Sequence, residues 1–337
     1  MSIIPQEVPT GAIRYNTDSN KMECFNGTKW MQVAVSSPDL NGGARAVFGG
    51  SYTYGVSPAN HVKTNIIDYI TITTAGNAID FGNLAAANDW PSALASNTRG
   101  VALGGRDPSN TNVIQYITIS STGNTTNFGD LSGQIREAVG TSNQTRGLNT
   151  GGKQAPGSYW NNIEYITIAS TGDAKDFGDI NNILGTMGGC GSSTRSVIAG
   201  GEFNSPYPTT NVIEFITIAS LGNAQDFGDL ADPEWAVDGC SNATRGLFTG
   251  TNNPNRAAIE YITIATKGNS VKFGDRTYTE YGVGAFSDPN RAVFAGGSVV
   301  NTINYVAIPT LGDAVDFGDL TVARGRLAGC SNAHGGL

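Results

Sequence analysis

Apolar and polar residues alternate along this chain in short runs, each cut off by Gly, Asn or Asp. In IEYITI from Ile163, Ile and Tyr alternate with Glu and Thr, the period of a half-buried β-strand. The phrase around that run occurs six times: IIDYITITTAGNAIDFGNL from Ile66, VIQYITISSTGNTTNFGDL from Val113, IEYITIASTGDAKDFGDI from Ile163, VIEFITIASLGNAQDFGDL from Val212, IEYITIATKGNSVKFGDR from Ile259 and INYVAIPTLGDAVDFGDL from Ile303. Its first aromatic is Tyr69, Tyr116, Tyr165, Phe215, Tyr261 or Tyr305. A Gly-Asn or Gly-Asp turn follows, and then Phe81, Phe128, Phe177, Phe227, Phe273 or Phe317, always 12 residues after that aromatic.

A second landmark is an Arg that opens a short apolar run ending in Gly, as in RGVALGG at Arg99 or RSVIAGG at Arg195. Arg45, Arg99, Arg146, Arg195, Arg245 and Arg291 form this series, and from Arg99 onward each lies 18 residues after the preceding Phe. All length variation sits between this run and the next aromatic, so each repeat has one variable loop. Four strands per repeat result. Strand a ends in GCSN or its equivalent, as at residues 237–242; strand b starts at the Arg; strand c carries the Tyr; strand d carries the Phe. Six such sets at a period of 44 to 54 residues predict an all-β fold, a six-bladed β-propeller over residues 41–337. The first repeat lacks a good strand a, whereas GRLAGCSN at residues 325–332 is a strand a with no strand b after it. The pattern therefore predicts that the C-terminal strand completes the first blade, which removes exposed sheet edges.

Composition sharpens this reading. Gly numbers 45, close to double the usual ~7%, and charged residues are 14% against ~25% in ordinary soluble domains. The net charge of −8 argues against nucleic acid as a partner, because phosphate contacts need a basic face. No apolar run approaches the ~20 residues of a membrane helix, and MSIIPQEVPTG lacks the basic start and apolar stretch of a signal peptide.

The order of Gly-Gly, variable loop, strand with Tyr, turn and strand with an aromatic resembles the kelch repeat across about residues 41–337, with Phe where kelch repeats carry Trp. That resemblance implies architecture and not activity, since kelch-like propellers include adaptors, lectin-like binders and copper oxidases. Residues 1–40 differ. GAIRYNTDSNKMECFNGTKWMQV at residues 11–33 reads as a small β-meander with turns at Asp18-Ser19-Asn20 and Asn26-Gly27. It resembles the G-x-I-R-Y-N-T…W module of bacteriophage tail-fibre and virion structural proteins, notably those of cyanobacterial phages. The resemblance implies a virion protein assembled in the host cytoplasm, with residues 1–40 binding other virion proteins or mediating homo-oligomerisation.

With strands running up and down, the b–c and d–a connections emerge at one end. Tyr52, Tyr54, His61, Tyr159, Trp160, Phe203 and Tyr207 fall on the b–c loops, and Trp90, Trp235, Tyr278 and Tyr281 on the d–a connections. Aromatics beside Asn, Asp and Thr suit a glycan or protein receptor. The competing reading is that they fill gaps between blades or touch a neighbouring virion subunit. Fixed register favours a structural role for the Arg series, bonded to a carboxylate or carbonyl of the next blade, over the alternative of an anion-binding ring. Cys190, Cys240 and Cys330 share one register on three different strands, too far apart for the ~5.5 Å Cα separation of a disulfide, and Cys24 stands alone in the arm. With only His61 and His334 and no Cys-x-x-Cys, no metal or cofactor is expected. Asp89, Asp107, Glu202, Glu234 and Glu280 are loop-face acids, but nothing in their spacing demands a catalytic pair. The expectation is a non-catalytic virion component that binds a host-surface glycan or protein. Its rivals are a capsid-decorating or fibre subunit without a receptor, and a glycan-cleaving depolymerase.

Overall fold

The structure is a computed structural model that describes residues 8–16, 21–32, 44–54, 61–155, 157–251, 256–298 and 300–337. Two compact units divide the chain, Met1–Leu40 and Asn41–Leu337. The first holds a three-stranded antiparallel sheet of Ile13–Asn16, Lys21–Phe25 and Trp30–Gln32. Asn26 Oδ1 organises its second turn by accepting from the N–H groups of Thr28 and Lys29 at 3.0 and 2.9 Å. The Arg14 guanidinium stacks 4.2 Å over Trp30 and bonds Glu23, which holds that carboxyl below the usual carboxylate range.

The second unit is all-β, built of antiparallel sheets in the strand order a-b-c-d. The second repeat shows the plan: Ser92–Ala95, Arg99–Leu103, Val113–Thr118 and Thr126–Asp130. The third repeats it with Val139–Ser142, Arg146–Thr150, Trp160–Thr167 and Lys175–Leu184. The sixth does so with Gly284–Ser287, Arg291–Ala295, Thr302–Ala307 and Val315–Asp319. Between them the fourth and fifth repeats merge. Gln225–Ser241 runs without a break from strand d of one into strand a of the next, joining both into a seven-stranded sheet where the repeat pattern predicts two separate strands. In the first repeat, Ala328–Ser331 pairs with Arg45–Tyr54, matching Ala328 to Gly49 and Ser331 to Ala46. His61–Thr71 and Ile79–Asn83 complete that sheet.

Apolar alternation puts one set of side chains on each face, and no single sheet can cover both. The described core accordingly divides into six clusters, each shared by two consecutive repeats. One of them joins the sixth repeat to the first, where Phe286 stacks on Phe48 at 5.0 Å. The strand-d glycines permit the approach. Gly178 adopts φ +149, and a Cβ there would meet the carbonyl oxygen of Gly222 at 2.5 Å. Beside it Gly222 N–H donates to Phe177 O at 2.9 Å, and Asn223 Oδ1 accepts from Asp179 N–H at 3.1 Å. The Asn or Asp of every c–d turn accepts the equivalent bond, down to Asn77, which accepts from Asp319 N–H at 3.1 Å.

The Arg series reaches between sheets. Each guanidinium stacks on the Tyr or Phe of its own strand c at 4.3–4.8 Å. Each also donates Nη1 to a carbonyl of the following repeat: Arg45 to Ile119, Arg99 to Ile168, Arg146 to Ile218, Arg195 to Ile264 and Arg245 to Ile308. From the sixth repeat, Arg291 reaches Ile72 of the first at 2.9 Å. The acid or amide before each strand-c aromatic is buried, although the alternating pattern reads as half solvated. Asp68, Gln115, Glu164, Glu214, Glu260 and Asn304 are all below 9% exposed. They bond the d–a connection of the preceding repeat, as Glu164 accepts from Ser132 N–H at 2.9 Å and Gln115 from Ala85 N–H at 2.9 Å. At the first repeat this position is Asp68, paired with the fully buried Arg324 at 2.8 Å.

Candidate functional site

The a strands of consecutive repeats lie side by side and line a central cleft of about 100 Å³. At one end, residues 332–337 cross beneath them. Gly335 N–H donates to Ser241 O at 2.8 Å, and His334 Nε2 bonds Ala95 O at 3.0 Å while Nδ1 accepts from Gly336 N–H at 3.1 Å. Those contacts fix the neutral tautomer with its proton on Nε2. A Cβ on Gly335 or Gly336 would strike the carbonyls of Asn242 and Ser142.

The opposite end is ringed by left-handed backbone. Trp90, Glu137, Thr186, Ala236 and Arg326 have φ between 47° and 61°, and Gly282 has 67°. Five non-glycine residues in this region are costly, so the surrounding structure must enforce the conformation. Hydrogen bonds between repeats do so: Glu137 N–H to Trp90 O at 3.1 Å, Thr186 N–H to Glu137 O at 3.0 Å, and Arg326 N–H to Gly282 O at 2.8 Å. Inside the cleft, Asp238 accepts from Gly239 and Ala285 N–H, and desolvation pushes its carboxyl up to about 7.

The sequence-predicted aromatics gather around this rim in three groups. Arg326 lies 4.6 Å over Tyr52 and 4.4 Å over Trp90, and Tyr52 is buried. Trp235 and Tyr281 pack at 5.3 Å. Trp160 and Phe203 lean on the apolar clusters below. Tyr54 and His61 pair in register on neighbouring strands, and their side chains lie outside the described residues. Tyr278 donates to Gly296 O. Of the loop acids, Asp89 is fully engaged by Arg106 at 2.6 Å with Lys63 at 3.7 Å. Glu234 lies 3.3 Å from Arg256, and burial pushes its carboxyl up to about 7. Glu280 and Glu234 both act on the buried Arg276 guanidinium, while Asp107 sits in its own loop with its N–H bonded to Ser109 O at 2.8 Å.

The third group is the densest. Tyr159 is buried between the third and fourth repeats, its N–H bonded to Asn204 Oδ1 at 2.8 Å. Its hydroxyl bonds Glu202 Oε1 and lies 3.3 Å from Glu137 Oε2, while Arg136 Nε holds Glu137 Oε1 at 2.7 Å. Burial first, then the Glu137 charge, push the Tyr159 hydroxyl up. Burial likewise raises the Glu202 carboxyl. Lys153 Nζ sits 4.8 Å from the Tyr159 ring and 5.1 Å from that of Tyr207, which is 50% exposed. Sequence reading missed Glu137, Lys153, Asp238 and Arg326. A signal for the rim existed, because five of its six residues stand nine before an Arg of the series and Arg326 stands nine before Gly335. Lys153 has no such marker, since it sits in a variable loop.

Among the described residues no three His, Cys, Asp or Glu side chains form a metal cluster, and all four cysteines are free thiols. No helix of the described residues is long and apolar enough to cross a membrane. Compared with known proteins, the chain matches no family model and no curated protein.

Proposed function

We propose that residues 41–337 form a kelch-like six-bladed β-propeller, closed where Ala328–Ser331 completes the first sheet, and that it is the displayed head of a bacteriophage virion protein. In this reading the protein is a tail-fibre or adsorption component. Its rim face binds a host-surface glycan or protein, and residues 1–40 attach it to other virion proteins. The six Arg-to-carbonyl contacts, running from the first repeat to the sixth and from Arg291 back to Ile72, support the closed form. One observation carries the binding role. Aromatic, cationic and amide side chains from two neighbouring variable loops converge on the rim, whereas the other end of the a strands is covered by residues 332–337.

Binding is favoured over cleavage by the same cluster. Glu137 and Glu202 face each other across the Tyr159 hydroxyl, which bonds both and fills the space between them where a glycosidic oxygen or water would have to sit. The test uses purified protein with host polysaccharide and whole host cells. Retention on cells without release of shortened glycan is expected. Depolymerised product would replace this reading with the enzyme, and absence of any host binding would leave the decorating subunit. A chain lacking residues 1–40 should still bind cells but fail to enter particles; its incorporation would show that the arm is not the anchor.

A further inference from the structure

We propose that the surface shared by the third and fourth repeats is a subsite for an acidic polysaccharide, with Lys153 pairing the sugar carboxylate and Tyr207 stacking on the ring. This rests on the rim-face binding role proposed above.

Four observations build the site. Lys153 is held from below, because its carbonyl accepts from Asn110 Nδ2 at 2.8 Å and its strand pairs with Ile135–Arg136. Among the described residues its ammonium makes no hydrogen bond or ion pair; it contacts the Tyr159 and Tyr207 rings and acts on the Glu202 charge from a distance. Ring contacts do not use up the ammonium N–H donors, which are left for an anion. Glu202 forms no salt bridge with it and bonds the Tyr159 hydroxyl instead.

Tyr207 supplies the second element. It stands at φ +64 in a tight loop closed by Phe203 N–H to Pro208 O at 2.9 Å and Tyr207 N–H to Asn204 O at 3.2 Å. A bulky residue in the left-handed region is an outlier that needs enforcement, and here the loop turns a half-exposed ring outward beside the cation. A flat aromatic face next to hydrogen-bonding groups matches a pyranose. Exposed Asn204 spends its Oδ1 on Tyr159, which leaves its amide N–H groups for a sugar hydroxyl. The net charge of −8 opposes general adhesion to polyanions, so recognition has to be local.

The experiment measures binding of the full chain to a panel of uronate polysaccharides (polygalacturonate, alginate, hyaluronate), each beside its carboxyl-reduced form, with polyglutamate as an acidic polypeptide. Binding to at least one uronate polymer is expected, with a loss of about fivefold or more on carboxyl reduction. Lys153→Met should cause a similar loss, Lys153→Arg should retain binding, and Tyr207→Ala should weaken uronate and reduced forms alike. Unchanged unfolding midpoints establish that each variant is folded. Equal binding of reduced polymers, with no effect of Lys153→Met, overturns the acidic subsite while leaving the glycan-binding face standing. Polyglutamate bound as well as uronate assigns the surface to an acidic protein and overturns the proposal. Failure of all glycans and of host cells removes both readings.

Discussion

The guanidinium of each register Arg does two jobs with one geometry. Its flat face lies on the aromatic of its own sheet, and its edge donates to a carbonyl of the next. Lysine has the charge without the plane, so it cannot replace both contacts. Arg146→Met removes a charge-assisted bond to Ile218 O and should destabilise the protein by about 2 kcal/mol, read as a lower urea midpoint. Arg146→Lys should recover only part of it. This pairing was half legible: fixed spacing marks the Arg as structural, but which carbonyl it reaches depends on how sheets stack. Glu164 was less legible still. A Glu between Ile and Tyr reads as solvated, and only the packed neighbour shows that it holds Ser132 N–H.

At the level of elements, the turns and strands follow from local chemistry. Gly-Asn and Gly-Asp dipeptides make the c–d turns, and the same Asn or Asp then bonds the adjacent repeat. The segment at residues 332–337 is different, because it has no strand pattern and is ordered by bonds to strands of several repeats, at Arg45, Ala95 and Ser241 among others. His334 makes that segment sensitive to acid. Burial pushes its imidazole pKa below the ordinary 6.5, and a proton on Nδ1 would oppose the Gly336 N–H it now accepts. The unfolded chain takes up a proton near 6.5 and the folded chain resists it until lower pH. This contribution to stability is therefore complete above 6.5 and declines as pH falls below it. Asp238 acts in the opposite direction, since its carboxyl is protonated in the folded chain at a higher pH than in the unfolded one. The His334 contribution is isolated by comparing wild type with His334→Gln: between pH 7.5 and 5.0, the wild-type urea midpoint should fall further than that of the variant.

For the whole molecule, the contacts between sixth and first repeats carry the most weight. There Asp68 and Arg324 form an ion pair with both side chains fully buried, and burial lowers the Arg324 pKa. Arg324 Nη1 also donates to Ile66 O at 2.8 Å, and Thr321 Oγ1 to Asp68 Oδ2 at 2.6 Å. Other repeats use Gln, Glu or Asn at the Asp68 position, so this junction has its own chemistry. Removing one partner leaves a buried charge alone. Arg324→Met should cost about 3–5 kcal/mol, more than Arg146→Met, measured by chemical unfolding with light scattering to detect aggregation. A loss below 1 kcal/mol would mean that the junction is not a stabilising contact.

Turn positions, the aromatic and Arg registers and the location of the variable loops were all determined by the sequence itself. Each depends on side-chain periodicity or local turn chemistry, which a linear pattern carries. The left-handed rim, the merger of two sheets through Gln225–Ser241, the Asp68–Arg324 pair and the convergence of Lys153, Tyr159, Glu202 and Tyr207 were decided only by tertiary structure. Those features join residues from different repeats, and their geometry exists only once neighbouring sheets are packed against each other.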